Sequence, residues 1–183
     1  MLSEAALVLR REFDLSFAQA WPTETPDMQH LLAVSVGGDP YALRVDEIGG
    51  LFVDRRVVPV PTPMSELLGV AGFRGQVAPV YDLAALLGYP RRPGQRWLIL
   101  VRHVQFVALA FDAFDAQLAA TPDQLVPLAR TALHGVLPER PALHSHVDYA
   151  VCGHGAARPI IRLSSVVDEV QRRVDVARHA KEL

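Results

Sequence analysis

Two short patterns each occur twice in this chain, in the same order, and together they restrict its fold more than any single motif. Ala42-Leu43-Arg44-Val45-Asp46-Glu47-Ile48 corresponds in kind to Ala108-Leu109-Ala110-Phe111-Asp112-Ala113-Phe114. Ala78-Pro79-Val80-Tyr81-Asp82-Leu83 corresponds to Arg158-Pro159-Ile160-Ile161-Arg162-Leu163, and two small and two aliphatic residues follow each copy. Each half therefore holds a hairpin followed later by a proline–strand–helix unit, which predicts a duplicated architecture. By the same correspondence His154 stands where Arg74 stands in the first half.

Short apolar runs bounded by turn residues fill the rest of the pattern. Leu31–Val36 and Tyr41–Val45 flank Gly37-Gly38-Asp39-Pro40, a hairpin signal. Val57–Val60 and Val77–Tyr81 read as further strands, and Trp97–Val101 with Phe106–Phe111 as a second hairpin around Arg102–Gln105. Such spacing predicts a mainly β barrel or sandwich with small helical inserts. Asp82 opens a short helical run, Leu83–Leu87. A last helix starts near Ser164-Ser165, with Ser165 and Asp168 in a capping-box pattern. Val166, Val167, Val170 and Val174 recur along it at helical spacing, which predicts a surface helix packed by its valines.

Residues 3–20 predict an N-terminal helix. Leu9, Phe13 and Phe17 fall four apart on one face, joined by Ala6 and Ala20, and Pro22 ends the run. Pro22-Thr-Glu-Thr-Pro-Asp27 is a polar, proline-stiffened linker. A helix of this length needs tertiary or partner contacts to persist in water. The stripe is thus a candidate interaction face, and the linker favours partner or self-association. The expected organisation is helix and linker over 1–29, a main domain of two subdomains over 30–170, and a helical tail over 171–183.

At 183 residues the chain suits one globular domain, and half of its residues are hydrophobic, enough for a sizeable core. A net charge of −2 gives no whole-chain attraction to nucleic acid. The single Cys152 precludes an internal disulfide and fits a reducing compartment. Trp97–Val101, the longest run of large apolar residues, is far short of a membrane span. Arg10, Arg11, Glu12 and Asp14 interrupt any signal-peptide core. The expectation is a cytoplasmic protein without membrane insertion.

His144, His146, Asp148, Cys152 and His154 cluster in sequence, with His134 upstream, and His-x-His and Cys-x-His spacings can chelate zinc. The paired Cys-x-x-Cys of structural sites and the His-Glu-x-x-His helix are missing, so clustered loop polarity is the preferred account and no metal or cofactor is expected. There is no Gly-x-Ser-x-Gly elbow and no phosphate-binding glycine loop, so no catalytic residue is assigned. A metal-dependent enzyme using the His144–His154 segment is the alternative of another class.

Gly69–Leu83 places one charged side chain, Arg74, between Gly72 and Gly75 ahead of an apolar strand. Tyr41–Ile48, the proline-rich Val57–Pro61 and Gly69–Leu83, in this order and spacing, resemble the CheW-like adaptors of bacterial chemosensory arrays. The resemblance covers roughly residues 30–170. It implies two pseudo-symmetric five-stranded SH3-like barrels, here with an N-terminal and a C-terminal helix. It also implies a non-enzymatic adaptor that bridges a chemoreceptor's cytoplasmic tip and the regulatory domain of a CheA-type histidine kinase. The receptor-facing region it implies takes in Ile48 and Arg74, with Gly50, Gly69, Phe73 and Gly75 around them. Many relatives carry at position 50 a glutamate able to pair with the arginine; here that position is Gly50. This leaves room for a divergent scaffold that engages other proteins through its N-terminal helix.

Overall fold

The computed structural model describes residues 28–91, 94–128, 143, 145–153 and 155–179. The predicted N-terminal helix and linker therefore lie outside the described residues.

Gln29–Val36 (β1) and Asp39–Arg44 (β2) pair as the predicted hairpin. Gly37 and Gly38 turn it at φ 65° and 91°, a tight two-residue loop that needs left-handed backbone twice. Ile48–Val53 (β3), Leu67–Phe73 (β4) and Gln76–Asp82 (β5) follow, then Leu83–Leu86 (α1), whose N-terminus Asp82 caps by accepting the Ala85 N–H. The second half supplies Trp97–Val101 (β6), Ala108–Phe111 (β7), Ala113–Ala120 (β8), Leu125–Pro127 (β9), Val147–Val151 (β10) and Arg158–Ile161 (β11). Helix α2 runs unbroken over Leu163–His179.

The strand orders carry the duplication. One sheet runs β3-β6-β7-β5-β4 and the other β8-β1-β2-β11-β10-β9. Exchanging each strand for its counterpart in the other half converts the first order into the second, with β9 added at the edge. Where β9 stands, the first sheet has a single bridge, Val58 to Val70. Even the bulges coincide: β4–β5 shifts register between Leu67 and Gly69, and β10–β11 between Val147 and Tyr149.

Each barrel is built from both halves. β11 pairs parallel with β2, setting Ile160 beside Ala42 and Ile161 beside Leu43. β5 pairs parallel with β7, setting Val80 beside Ala108 and Tyr81 beside Leu109. The first pattern of each half thus lies against the second pattern of the other. Neither half can close its own sheet, so the two fold as one unit.

Alternation along the strands then creates three cores. Leu31, Ala42, Val151 and Ile160 fill one barrel. Their counterparts Leu98, Ala108, Ala71 and Val80 fill the other. The largest cluster lies between the barrels, where Val34, Tyr41, Leu43, Leu83, Leu109, Phe111, Ile161 and Val166 meet. Each such buried aliphatic or aromatic side chain contributes about 1.5–3 kcal/mol by leaving water. Tyr89 fastens the interface: its hydroxyl lies 2.6 Å from Tyr41 Oη and donates to Asp39 at 2.5 Å.

Helix α2 packs Val166, Val167 and Val170 inward as predicted. Its start differs from the predicted capping box. Ser165 Oγ donates to the Arg162 carbonyl at 2.9 Å, and Glu47 caps the helix from across the structure. Arg162 occupies the position that Asp82 holds before α1, and a guanidinium cannot accept a hydrogen bond from the helix.

Candidate functional site

The β4–β5 hairpin turns on Arg74 and Gly75, at φ 48° and 83°. Left-handed backbone costs an arginine roughly 1–2 kcal/mol, and Asn or Gly would suit the turn better. Local backbone chemistry does not account for an arginine here. Its side chain is exposed at the tip of a well-paired hairpin, beside exposed Gly75, Gln76 and Val77.

Glycine at position 50 gives this turn its surroundings. A Cβ built on Gly50 would lie 3.6 Å from Arg74 Nη2 and 2.9 Å from the Phe52 ring. The Phe52 ring therefore uses the space left by the missing Cβ, and Arg74 passes at ordinary contact distance. The Phe52 ring meets Phe73 edge-on, with centroids 5.0 Å apart. The Arg55 guanidinium carbon lies 5.2 Å from the Phe52 centroid, a cation–π contact worth about 0.5–1 kcal/mol at such a site.

No acid on the described chain neutralises these two arginines. Asp54, next in sequence, is held by Arg96 through two bonds of 2.6 and 2.5 Å, and that guanidinium holds the carboxyl below its ordinary range. Among the described residues neither Arg74 nor Arg55 forms an ion pair. A free guanidinium beside an aromatic ring is suited to a carboxylate on a partner, which it can bind bidentately.

The structure sets Gly50 beside the Arg74 turn but divides the predicted residues between surface and core. Arg74, Gly75 and Gly50 reach the surface, whereas Phe73 is fully buried and Ile48 is 9% exposed. Gly69 is buried as well, at φ 146°, and a Cβ there would sit 2.1 Å from the Val58 carbonyl oxygen. Only Phe73 adjoins the turn, anchoring it in its barrel core; Ile48 belongs to the cluster between the barrels, and Gly69 lies toward the other end of β4 against Val58. Sequence reasoning missed Phe52 and Arg55; the available signal was the Arg55-Arg56 pair one residue beyond β3.

The histidine segment is spent on structure where it is described. His146 is buried, with Nδ1 2.8 Å from Ser165 Oγ. Because Ser165 donates to the Arg162 carbonyl, His146 donates from Nδ1, and burial pushes its pKa below the ordinary value of 6.5. Asp148 pairs with Arg162. Among the described residues no three His, Cys, Asp or Glu side chains group as metal ligands. His134, His144 and His154 lie outside the described residues, as do Leu9, Phe13 and Phe17. No described helix is long and apolar enough to cross a membrane.

A family model described as the CheW-like domain matches residues 30–139. A curated relative, a probable chemotaxis protein CheW from Rhizobium etli, is 29% identical over 102 residues, which is 54% of this chain and 66% of the relative. The chain thus spans just under two thirds of that protein's length. Among solved structures, the scaffolding protein TtCheW from Thermoanaerobacter tengcongensis superposes with a TM-score of 0.64 at 18% identity. That match covers 76% of this chain and 92% of the other, a shared fold.

Proposed function

This chain belongs to the CheW-like family, and from that premise we propose that it is a non-enzymatic adaptor coupling chemoreceptors to a CheA-type histidine kinase in a chemosensory array. The receptor's cytoplasmic tip docks at the Arg74 turn, and the kinase regulatory domain engages a separate face of the double barrel. The array and both partners place the adaptor in the cytoplasm, recruited to the receptors.

Arg74 carries this reading. An exposed arginine sits in left-handed backbone at a hairpin tip, without an ion pair among the described residues. Strained positions of this kind cluster at functional contacts. Gly50 leaves this chain without an acid at the adjacent position, so the carboxylate that meets Arg74 comes from the partner. Arg74 and Gly75 present the contact with Gly50 beside them, on a hairpin that buried Phe73 anchors in its barrel.

Co-purification from native cells tests the reading. Receptor and kinase should both come with the protein, and an Arg74→Glu variant should lose the receptor while keeping the kinase. Recovery of neither partner with the native protein contradicts the adaptor role.

A further inference from the structure

The two halves diverge where β1 and β6 begin. In the second half Trp97 opens β6, stacks on Phe111 at a centroid distance of 6.5 Å and packs on Phe114 at 5.5 Å. The strand registers make His30, Val45 and Ile48 the counterparts of those three aromatic residues. One indole and two phenyl rings in one half thus correspond to an exposed imidazole and two aliphatic side chains in the other. His30 and Val45 accordingly line a cavity of about 570 Å³, together with Met28, Asp46, Arg102 and Leu125.

The chain itself carries the missing rings. It enters the described body at Met28, which lines this cavity. Upstream stand Leu9, Phe13 and Phe17, spaced as one face of a helix, with Arg10, Arg11, Glu12 and Asp14 around them. Asp46 and Arg102 in the lining offer one charge of each sign to those flanking residues. Residues 18–27 reach at most about 36 Å when extended, ample to fold back. A tether this short gives a millimolar effective concentration, which favours the chain's own cavity over a second copy at ordinary protein concentrations.

We propose that residues 9–17 dock on their own chain, with Phe13 and Phe17 filling the cavity beside Met28 as Trp97 and its neighbours fill the equivalent place in the other half. The N-terminal stripe is then an intramolecular plug and not a free recruitment helix. This holds whichever partners the adaptor engages.

Disulfide trapping in the full-length protein tests it. In a Cys152→Ser background, Phe13→Cys is combined with Leu125→Cys, or with Val77→Cys on the distant hairpin as control. Mild oxidation at micromolar concentration should give a disulfide within one chain on the order of tenfold more for the first pair than for the control. A disulfide between two chains would assign the cavity to a second copy, and equal trapping of the two pairs, or none, would remove the docking altogether.

Amide hydrogen exchange provides a readout with all native side chains in place. Residues 8–18 should exchange on the order of tenfold more slowly than free peptide, and His30→Trp, which puts an indole where Trp97 stands in the other half and competes for the same space, should abolish that protection. Unprotected amides in the unaltered protein, or protection that survives His30→Trp, overturns the proposal.

Discussion

The carboxylate of Glu47 accepts the backbone N–H of Leu163 at 2.9 Å and the hydroxyl of Ser164 at 3.0 Å, closing the N-terminus of α2. The first four N–H groups of a helix have no partner within it, and a carboxylate there also meets the positive end of the helix dipole. Asp82 caps α1 from its own N-cap position, but Arg162 cannot do so for α2. A residue from the turn after β2 therefore performs the task. Glu47→Ala should lower stability by about 1–2 kcal/mol, the range of lost caps, whereas Glu47→Gln keeps an acceptor and should lose less. Chemical denaturation of the two variants checks the order; equal losses would mean that Glu47 acts through packing alone.

His146 should make the fold acid-sensitive. Burial lowers its folded pKa, with Arg162, Arg172 and Arg173 acting in the same direction and Glu169 against them. The unfolded chain binds the proton near pH 6.5 while the folded chain resists it, so stability is full above that pH and falls below it. The loss ends only at the lowered folded pKa. Denaturation curves recorded from about pH 7.5 to 5.5 should show this slope, and His146→Asn should flatten it. An unchanged slope in the variant would assign acid sensitivity to other groups.

Much of this fold was legible because the strands that pair reciprocally carry matching apolar patterns. Ala42 resembles Ala108 and Val80 resembles Ile160 since each set fills the same place in one of two barrels. That Ala42 pairs with Ile160 and not with a residue of its own half was not legible, because pairing partners are chosen by the whole chain. The Glu47 cap was hidden for the same reason: helix signals are read locally, and this acceptor lies 116 residues away. At the candidate site, Arg74 stood out between glycines. The burial of Ile48 and Phe73 was not apparent, since alternation alone does not say which face of a strand meets the core.

Two glycines in β4 should respond oppositely to alanine. Gly69→Ala forces a Cβ to within 2.1 Å of the Val58 carbonyl oxygen at φ 146°, where backbone must move. The expected loss exceeds about 2 kcal/mol, as for a strained backbone position with a clash. Gly72 has nothing within 4 Å of its would-be Cβ, and Gly72→Ala should stay within about ±0.5 kcal/mol. Thermal melts of the pair suffice; comparable melting temperatures would contradict the close approach of Val58 to β4.

Arg74 gives the most direct test, because its fold cost and its proposed contact predict opposite signs. Asn tolerates left-handed backbone better than Arg, so Arg74→Asn should leave the melting temperature unchanged or raise it slightly. The measurement is isothermal titration calorimetry of the native protein and Arg74→Asn against a receptor cytoplasmic-tip fragment and the kinase regulatory domain. The native protein should bind both, and the variant should lose about 1–3 kcal/mol toward the receptor fragment alone, as for an interface arginine. Undiminished receptor affinity in a stable variant, or no native binding to either partner at high micromolar concentration, would contradict the account.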